Sequence, residues 1–205
     1  MLRKDSLDIQ IAMKEGKRFY QMLMNYLDGK MYSSQTPVRI LNVGCGQCLE
    51  GYALIDYFGK EPYGTTYERV KLGTKNEKVE LIGIDLTSDL RTAKEVNRNS
   101  EFLRMDAKTM EKYLNCIFDV VITRHPNVCH DTDNWKKIYE KILFLLNSDG
   151  ILIITNYNQR EFDKSLEIIE QLKYKVKVKE KNHYYGVALT PGINYDDWII
   201  IAEKA

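Results

Sequence analysis

Four short strand-like runs, each followed almost at once by residues an apolar core does not call for, constrain this chain more than any other feature. Val38–Val43 runs into Gly44-Cys45-Gly46, Val79–Ile84 ends at Asp85, Glu101–Arg104 meets Asp106, and Ile117–Ile122 ends at Thr123-Arg124-His125-Pro126. Amphipathic stretches separate the runs. Strands alternating with helices predict βαβ units and a mostly parallel sheet covered on both faces. In such sheets ligands bind beyond the carboxyl ends of the strands, where strand order reverses. The glycine turn, Asp85, Asp106 and Arg124-His125 all fall at that edge, and they point at one crevice.

The remaining elements follow from spacing. Ile9, Ala12, Met13, Phe19, Tyr20, Leu23, Tyr26 and Leu27 recur at three and four, which predicts an opening helix ending near Asp28-Gly29. Helical patterns are expected from Leu49 to Phe58 and from Thr87 to Asn99, with a short helix carrying Met110 and Leu114. Another helix places Trp135, Ile138, Tyr139, Ile142, Leu143 and Leu146 on one stripe, and Asp149-Gly150 turns the chain into Ile151–Thr155. A helix with Phe162, Leu166 and Ile169 precedes the strand Tyr174–Val178, whose lysines face water as on an edge strand. Trp198–Ala202 closes the chain after a connection holding Thr190-Pro191-Gly192 and no helix, so the last strand returns antiparallel.

Length sets the scale. At 205 residues the chain suits one domain, 1–205. Thirty Lys and Arg against 29 Asp and Glu leave a formal charge of +1, with no overall basic field for nucleic acid or anionic membrane. No run reaches the roughly 20 apolar residues that span a bilayer. The start, MLRKDSLDIQ, lacks a signal-peptide core. Four cysteines are too few for a disulfide scaffold, so reduced thiols and a cytoplasmic location are expected.

Gly44 and Gly46 let backbone approach a ligand without a Cβ in the way. A dinucleotide fingerprint would want a third glycine where Leu49 stands and an acid about 20 residues on, whereas Asp85 lies nearly twice as far away. A carboxylate at Asp85 can accept both hydroxyls of a ribose, or cap the helix that follows it. Asp106 can take an exocyclic amine or cap its own helix. His125 and His130 have the near-neutral pKa of a general base, and Arg124 can pair a carboxylate or phosphate bidentately. Cys45 and Cys48, with Cys129-His130 on a neighbouring loop, have a spacing zinc could use. Small filler residues in the turn are the simpler reading, and no metal is expected.

These motifs resemble those of the class I S-adenosylmethionine-dependent methyltransferases, over roughly Arg39 to Thr155. RILNVGCG resembles the family's first motif, LIGIDLT its second and FLRMDA its third; FDVVITRHP and SDGILIIT resemble the segments after the fourth strand and around the fifth. The resemblance implies a Rossmann-like doubly wound sheet of order 3-2-1-4-5-7-6 with an antiparallel last strand, preceded here by an N-terminal helical extension at 1–35. It implies S-adenosylmethionine as cofactor and S-adenosylhomocysteine as product. Asn42, Gly44, Cys45 and Gly46 would lie along the methionine part, with Asp85 and Leu86 at the ribose. Met105, Asp106 and Ala107 would lie around the adenine, with Thr123 nearby. His125 and Arg124 become the candidates for catalysis.

The chain departs from the family pattern in three places. Asn42 stands where an acid is usual, Cys48 where a third glycine is usual, and 59–78 is a longer connection than usual. That connection carries Tyr63, Tyr67, Arg69 and Lys71 and reads as a lid or a solvated excursion. A small-molecule acceptor is expected, with nucleic acid and protein acceptors left open. Thr123-Arg124-His125-Pro126 lacks the Asn- or Asp-Pro-Pro-aromatic signature of many nucleic-acid amino methyltransferases. Two rival readings share the fold: a non-catalytic binding protein, and a nicotinamide-dependent oxidoreductase.

Overall fold

The computed structural model describes residues 2–27, 37–72, 74, 77–86, 90, 93–94, 100–183 and 196–205, with side chains of the first helix from Met13 onward. The helix end at Asp28-Gly29, most of the Thr87–Asn99 helix and the Thr190-Pro191-Gly192 connection lie outside the described residues.

The strands are β1 (Val38–Val43), β2 (Val79–Asp85), β3 (Glu101–Arg104), β4 (Phe118–Arg124), β5 (Leu146–Asn156), β6 (Lys175–Lys181) and β7 (Trp198–Glu203). They form one sheet in the order β3-β2-β1-β4-β5-β7-β6. The first five pair in parallel, and β7 runs antiparallel to both β5 and β6. β1 and β4 are neighbours in space but not in sequence, with Val43 opposite Thr123. The order reverses at this pair, so the crevice beyond it is where a ligand is expected.

Side-chain alternation splits the core in two. Ile40 of β1, Ile122 of β4 and Ile153 of β5 face one side, under α1 (Leu2–Leu27) and α2 (Gly51–Phe58). Leu41, Val121 and Leu152 face the other, under α4 (Thr132–Leu145) and α5 (Gln159–Gln171). Buried on both faces, the central strands read as near-continuous apolar runs. Phe19, Met22, Leu23 and Leu27 of α1 are fully buried, each worth about 1.5–3 kcal/mol relative to exposure. The N-terminal helix is therefore a structural part of the domain.

Two local expectations change. Leu146 pairs with Phe118 and Ile151 with Val120, so Asn147-Ser148-Asp149-Gly150 is a bulge within β5 rather than a turn ahead of it. The segment 59–78 carries a helix of its own, α3 (Thr65–Lys71). The buried Asp56 carboxylate accepts from Gly64 N at 2.7 Å, Thr66 N at 2.8 Å and the Thr66 hydroxyl. Tyr63 Oη donates to Met13 O and Tyr20 Oη to Glu61 O at 3.0 Å, which ties the segment to α1.

Candidate active site

Beyond Val43 the chain turns back under itself. Gly44 and Gly46 have φ of +69° and +50°, a left-handed backbone suited to glycine, and a Cβ at Gly46 would meet nothing within 4 Å. Gly44 N and Cys45 N donate to Ile84 O, and Gly46 N donates to Asp85 Oδ2 at 2.9 Å. The turn is thereby lashed to the tip of β2. Cys48 is also left-handed, at φ +50°, a backbone uncommon for a non-glycine residue.

Asp85 O in turn accepts Met105 N at 3.0 Å, which places Met105, Asp106 and Ala107 beside it. Asp106 caps the short 3-10 helix Ala107–Lys112, its Oδ1 accepting Lys108 N at 2.9 Å. Its side chain stays 37% exposed, so capping leaves carboxylate surface open. Leu86 is exposed, and Met105 and Ala107 are half-buried. Thr123 is buried on the other face, 3.5 Å from the Tyr139 hydroxyl. Its side chain does not reach the cleft.

The fourth-strand tip holds the densest electrostatics. Arg124 donates to Asp196 through Nε at 3.1 Å and Nη2 at 2.7 Å, and to Glu50 Oε2 through Nη1 at 2.7 Å. Glu15 of α1 lies 3.8 Å from it, and Phe19 lies beneath the guanidinium at 5.0 Å. Arg18 bridges Glu15 at 2.9 Å and Asp196. The Thr155 hydroxyl also donates to Asp196. Burial works against charge on Asp196, yet Arg124, His125 and Arg18 hold its carboxyl well below the usual carboxylate range.

His125 follows with φ +54°, an uncommon backbone for a non-glycine residue and the kind of strain that gathers at functional sites. Its N donates to Thr155 O at 2.8 Å, its Nε2 lies 2.9 Å from Asp196 Oδ1, and its ring stacks on Tyr157 at 3.7 Å. Burial lowers its pKa, against the opposing pull of Asp196. The ring is therefore neutral near pH 7.

Together these residues line a cleft of about 620 Å³: Gly44–Glu50 on the floor, Glu15 of α1 on one wall, Arg124, His125 and Tyr157 on the other. The size is that of a small-molecule site. Gly44, Cys45, Gly46, Arg124 and His125 line it, with Asp85 joined through Gly46 and the buried Asn42 through Glu50. Cys45 and Cys48 are buried and their thiols are pushed up by that burial, whereas Cys129 borders a separate groove with Arg160 and Lys164. No group of three or more potential ligands among the described residues is set to hold a metal ion.

Glu15, Glu50, Asp196 and Tyr157 were not among the sequence candidates. The available signal was Arg124 itself: a guanidinium ending a buried strand requires counter-charges.

A family model described as a methyltransferase domain matches residues 35–200. The chain belongs to that family and is a class I S-adenosylmethionine-dependent methyltransferase. No curated protein matches it significantly. The fold is similar to that of a TehB-like SAM-dependent methyltransferase from Corynebacterium glutamicum, at TM-score 0.59 and 17% identity over 93% of this chain and 88% of that one. It is similar to the glycopeptide N-methyltransferase MtfA, at 0.60 and 10% over 95% and 90%. It is also similar to magnesium protoporphyrin IX methyltransferase from Synechocystis with bound SAM, at 0.58 and 14% over 97% and 82%.

The residues present fit the cofactor. Asn42 is fully buried at the end of β1, and its Oδ1 has no hydrogen-bond partner among the described residues, an acceptor awaiting a donor. The open left-handed turn at Gly46 gives close backbone access, and Asp85 stands at its rim.

Proposed function

We propose that this methyltransferase acts on a small-molecule acceptor held in the cleft beside His125 and Tyr157. The observation that carries the reading is the cleft itself: concave, about 620 Å³, with α1 closing one side through Glu15. The near-zero net charge supports a small acceptor over a polyanion. The fold is shared by enzymes with unlike acceptors and adds no preference of its own.

In this reading Asp85 takes the ribose hydroxyls with Leu86 beside them, Met105, Asp106 and Ala107 surround the base, and Asn42 with the 44–46 turn holds the amino-acid end. When bound, S-adenosylmethionine supplies an electrophilic methyl group and its own leaving group. The protein's task is then to hold the acceptor's nucleophile at near-attack distance and to remove its proton where it carries one.

His125 fits the second task. Held neutral by burial, it can accept a proton. A neutral imidazole keeps one lone pair for a proton, and Asp196 stands beside the ring with its carboxylate 2.9 Å from Nε2 and its N–H donating to Nε2 at 3.3 Å. Asp196 fixes the ring and stabilises the imidazolium that results. Arg124 acts by positioning Asp196 and Glu50, since its Nε, Nη1 and Nη2 are engaged within the protein.

The test is methyl transfer from labelled cofactor to fractionated small molecules, RNA and protein in parallel. Label entering the small-molecule fraction, with a pH-dependent rate that flattens in His125→Gln, supports the reading. Label entering only RNA or protein overturns it.

A further inference from the structure

Glu50 is the least expected member of the cleft. It occupies the N-cap position of α2, where short Ser, Thr, Asp or Asn side chains are the usual caps, and its longer side chain makes no capping bond. The carboxylate is instead buried and turned inward. Oε1 accepts Asn42 Nδ2 at 2.6 Å and Oε2 accepts Arg124 Nη1 at 2.7 Å. Asn42 Nδ2 also lies 3.3 Å from Cys48 Sγ. Both contacts fall on the amide nitrogen, and the amide oxygen is buried with no partner among the described residues.

An amide is nearly symmetric in shape, so only its hydrogen bonds decide which end faces where. A carboxylate accepts and never donates. Glu50 therefore permits one orientation, with nitrogen toward itself and oxygen away. Arg124 occupies the other carboxylate oxygen of Glu50, and Asp196 fixes Arg124 by its two-point contact.

We propose that Glu50 is a positioning residue for cofactor binding: it locks the Asn42 amide so that Oδ1 receives the cofactor's α-amino group, with Arg124 and Asp196 holding Glu50 in place. The proposal rests on the placement of the amino-acid end of the cofactor at Asn42. A chain carrying carboxylates at both positions would set two like charges within hydrogen-bond distance. An amide and an acid avoid that repulsion while still offering the ligand an acceptor.

Glu50→Gln tests this with little change of shape. Arg124 would claim the new amide oxygen and the new NH2 would face Asn42. Asn42 would then turn its oxygen inward and present NH2 to the ligand's ammonium, donor against donor. The probes are S-adenosylhomocysteine and an analogue with hydrogen in place of the α-amino group, titrated calorimetrically.

Glu50→Gln is expected to weaken S-adenosylhomocysteine about tenfold or more and to leave the deaminated analogue within about twofold. The double variant Asn42→Asp with Glu50→Gln restores both the acceptor and its orientation, and is expected to recover most of the affinity. Should Glu50→Gln not fold, Glu50→Asp carries the same comparison, because the shortened carboxylate withdraws from Asn42. Equal weakening of both ligands, or of neither, overturns the proposal. Equal binding of the two ligands by the unaltered protein overturns the placement beneath it, a failure distinct from that of Glu50's role.

Discussion

Asp196, just ahead of the last strand, receives the guanidinium of Arg124 at the tip of β4 through two bonds, Nε to Oδ1 at 3.1 Å and Nη2 to Oδ2 at 2.7 Å. The contact joins residues 72 positions apart and ties the residue just ahead of the last strand to the switch point of the sheet. Arg18 of α1 and the Thr155 hydroxyl of β5 meet the same carboxylate. One buried acid therefore holds together three elements that wall the cleft.

Removing that charge is costly. Asp196→Asn keeps the shape but leaves Arg124 and Arg18 short of their shared counter-ion inside the protein. Breaking a buried pair in this way costs about 3–5 kcal/mol. For a chain of this size the melting temperature is expected to fall by about 6–20 °C in a scanning calorimeter. A drop under about 2 °C would mean that the network does not hold the cleft walls.

The same residues set the response to acid, in two separate windows. His125 is lowered from 6.5 by burial, so between its folded value and 6.5 the unfolded chain binds the extra proton. Stability therefore falls as pH drops through that window. Asp196 is depressed instead, so its contribution is complete above the unfolded carboxylate value of about 3.9 and is lost only as pH falls through the lower folded value. Chemical denaturation at several pH values is expected to show a decline setting in as pH falls below about 6.5 that His125→Gln largely removes. A slope unchanged by that variant would assign the decline to other groups.

How far these features were legible depends on the range of the forces behind them. VRILNV gave a strand at the stated bounds, because a central parallel strand writes its burial directly into consecutive residues. Asp149-Gly150 has the composition of a turn yet sits in a bulge, since the pairing of Leu146 with Phe118 extends β5 backward across it. Gly44, Gly46 and Asp85 could be read because backbone geometry at a strand end leaves a local mark. Glu15, Glu50 and Asp196 carry no such mark. Each is an ordinary acid in its own segment, and only the buried guanidinium of Arg124 makes it part of a site. Asn42 was visible as a departure from its family, but its partner eight residues on emerges only from the fold.

The segment 59–78 offers a separate test, because its attachment is local and specific. Asp56→Ala removes the acceptor for Gly64 N, Thr66 N and the Thr66 hydroxyl at once. Leaving buried donors unsatisfied is expected to cost at least about 2 kcal/mol. Cofactor affinity is expected to stay within about twofold, since none of the segment's described residues lines the cleft. A large loss of affinity at unchanged stability would instead assign the segment to the ligand, as a lid would be.

Asp85 has two duties, and two substitutions separate them. Its Oδ2 fixes the glycine turn through Gly46 N at 2.9 Å, and the carboxylate is also the one proposed to take the ribose hydroxyls. Asp85→Asn retains an oxygen for Gly46 N but loses the charge and one acceptor. The turn is expected to persist, with an unchanged melting temperature, while affinity for S-adenosylhomocysteine falls about tenfold or more. Asp85→Ala abolishes the tether as well, so both affinity and melting temperature are expected to fall. Because the deaminated analogue of the cofactor keeps its ribose, it is expected to weaken alongside S-adenosylhomocysteine in both Asp85 variants. That behaviour is opposite to the one expected for Glu50. Unchanged binding of both ligands by Asp85→Asn would remove Asp85 from the ribose and leave it only the turn.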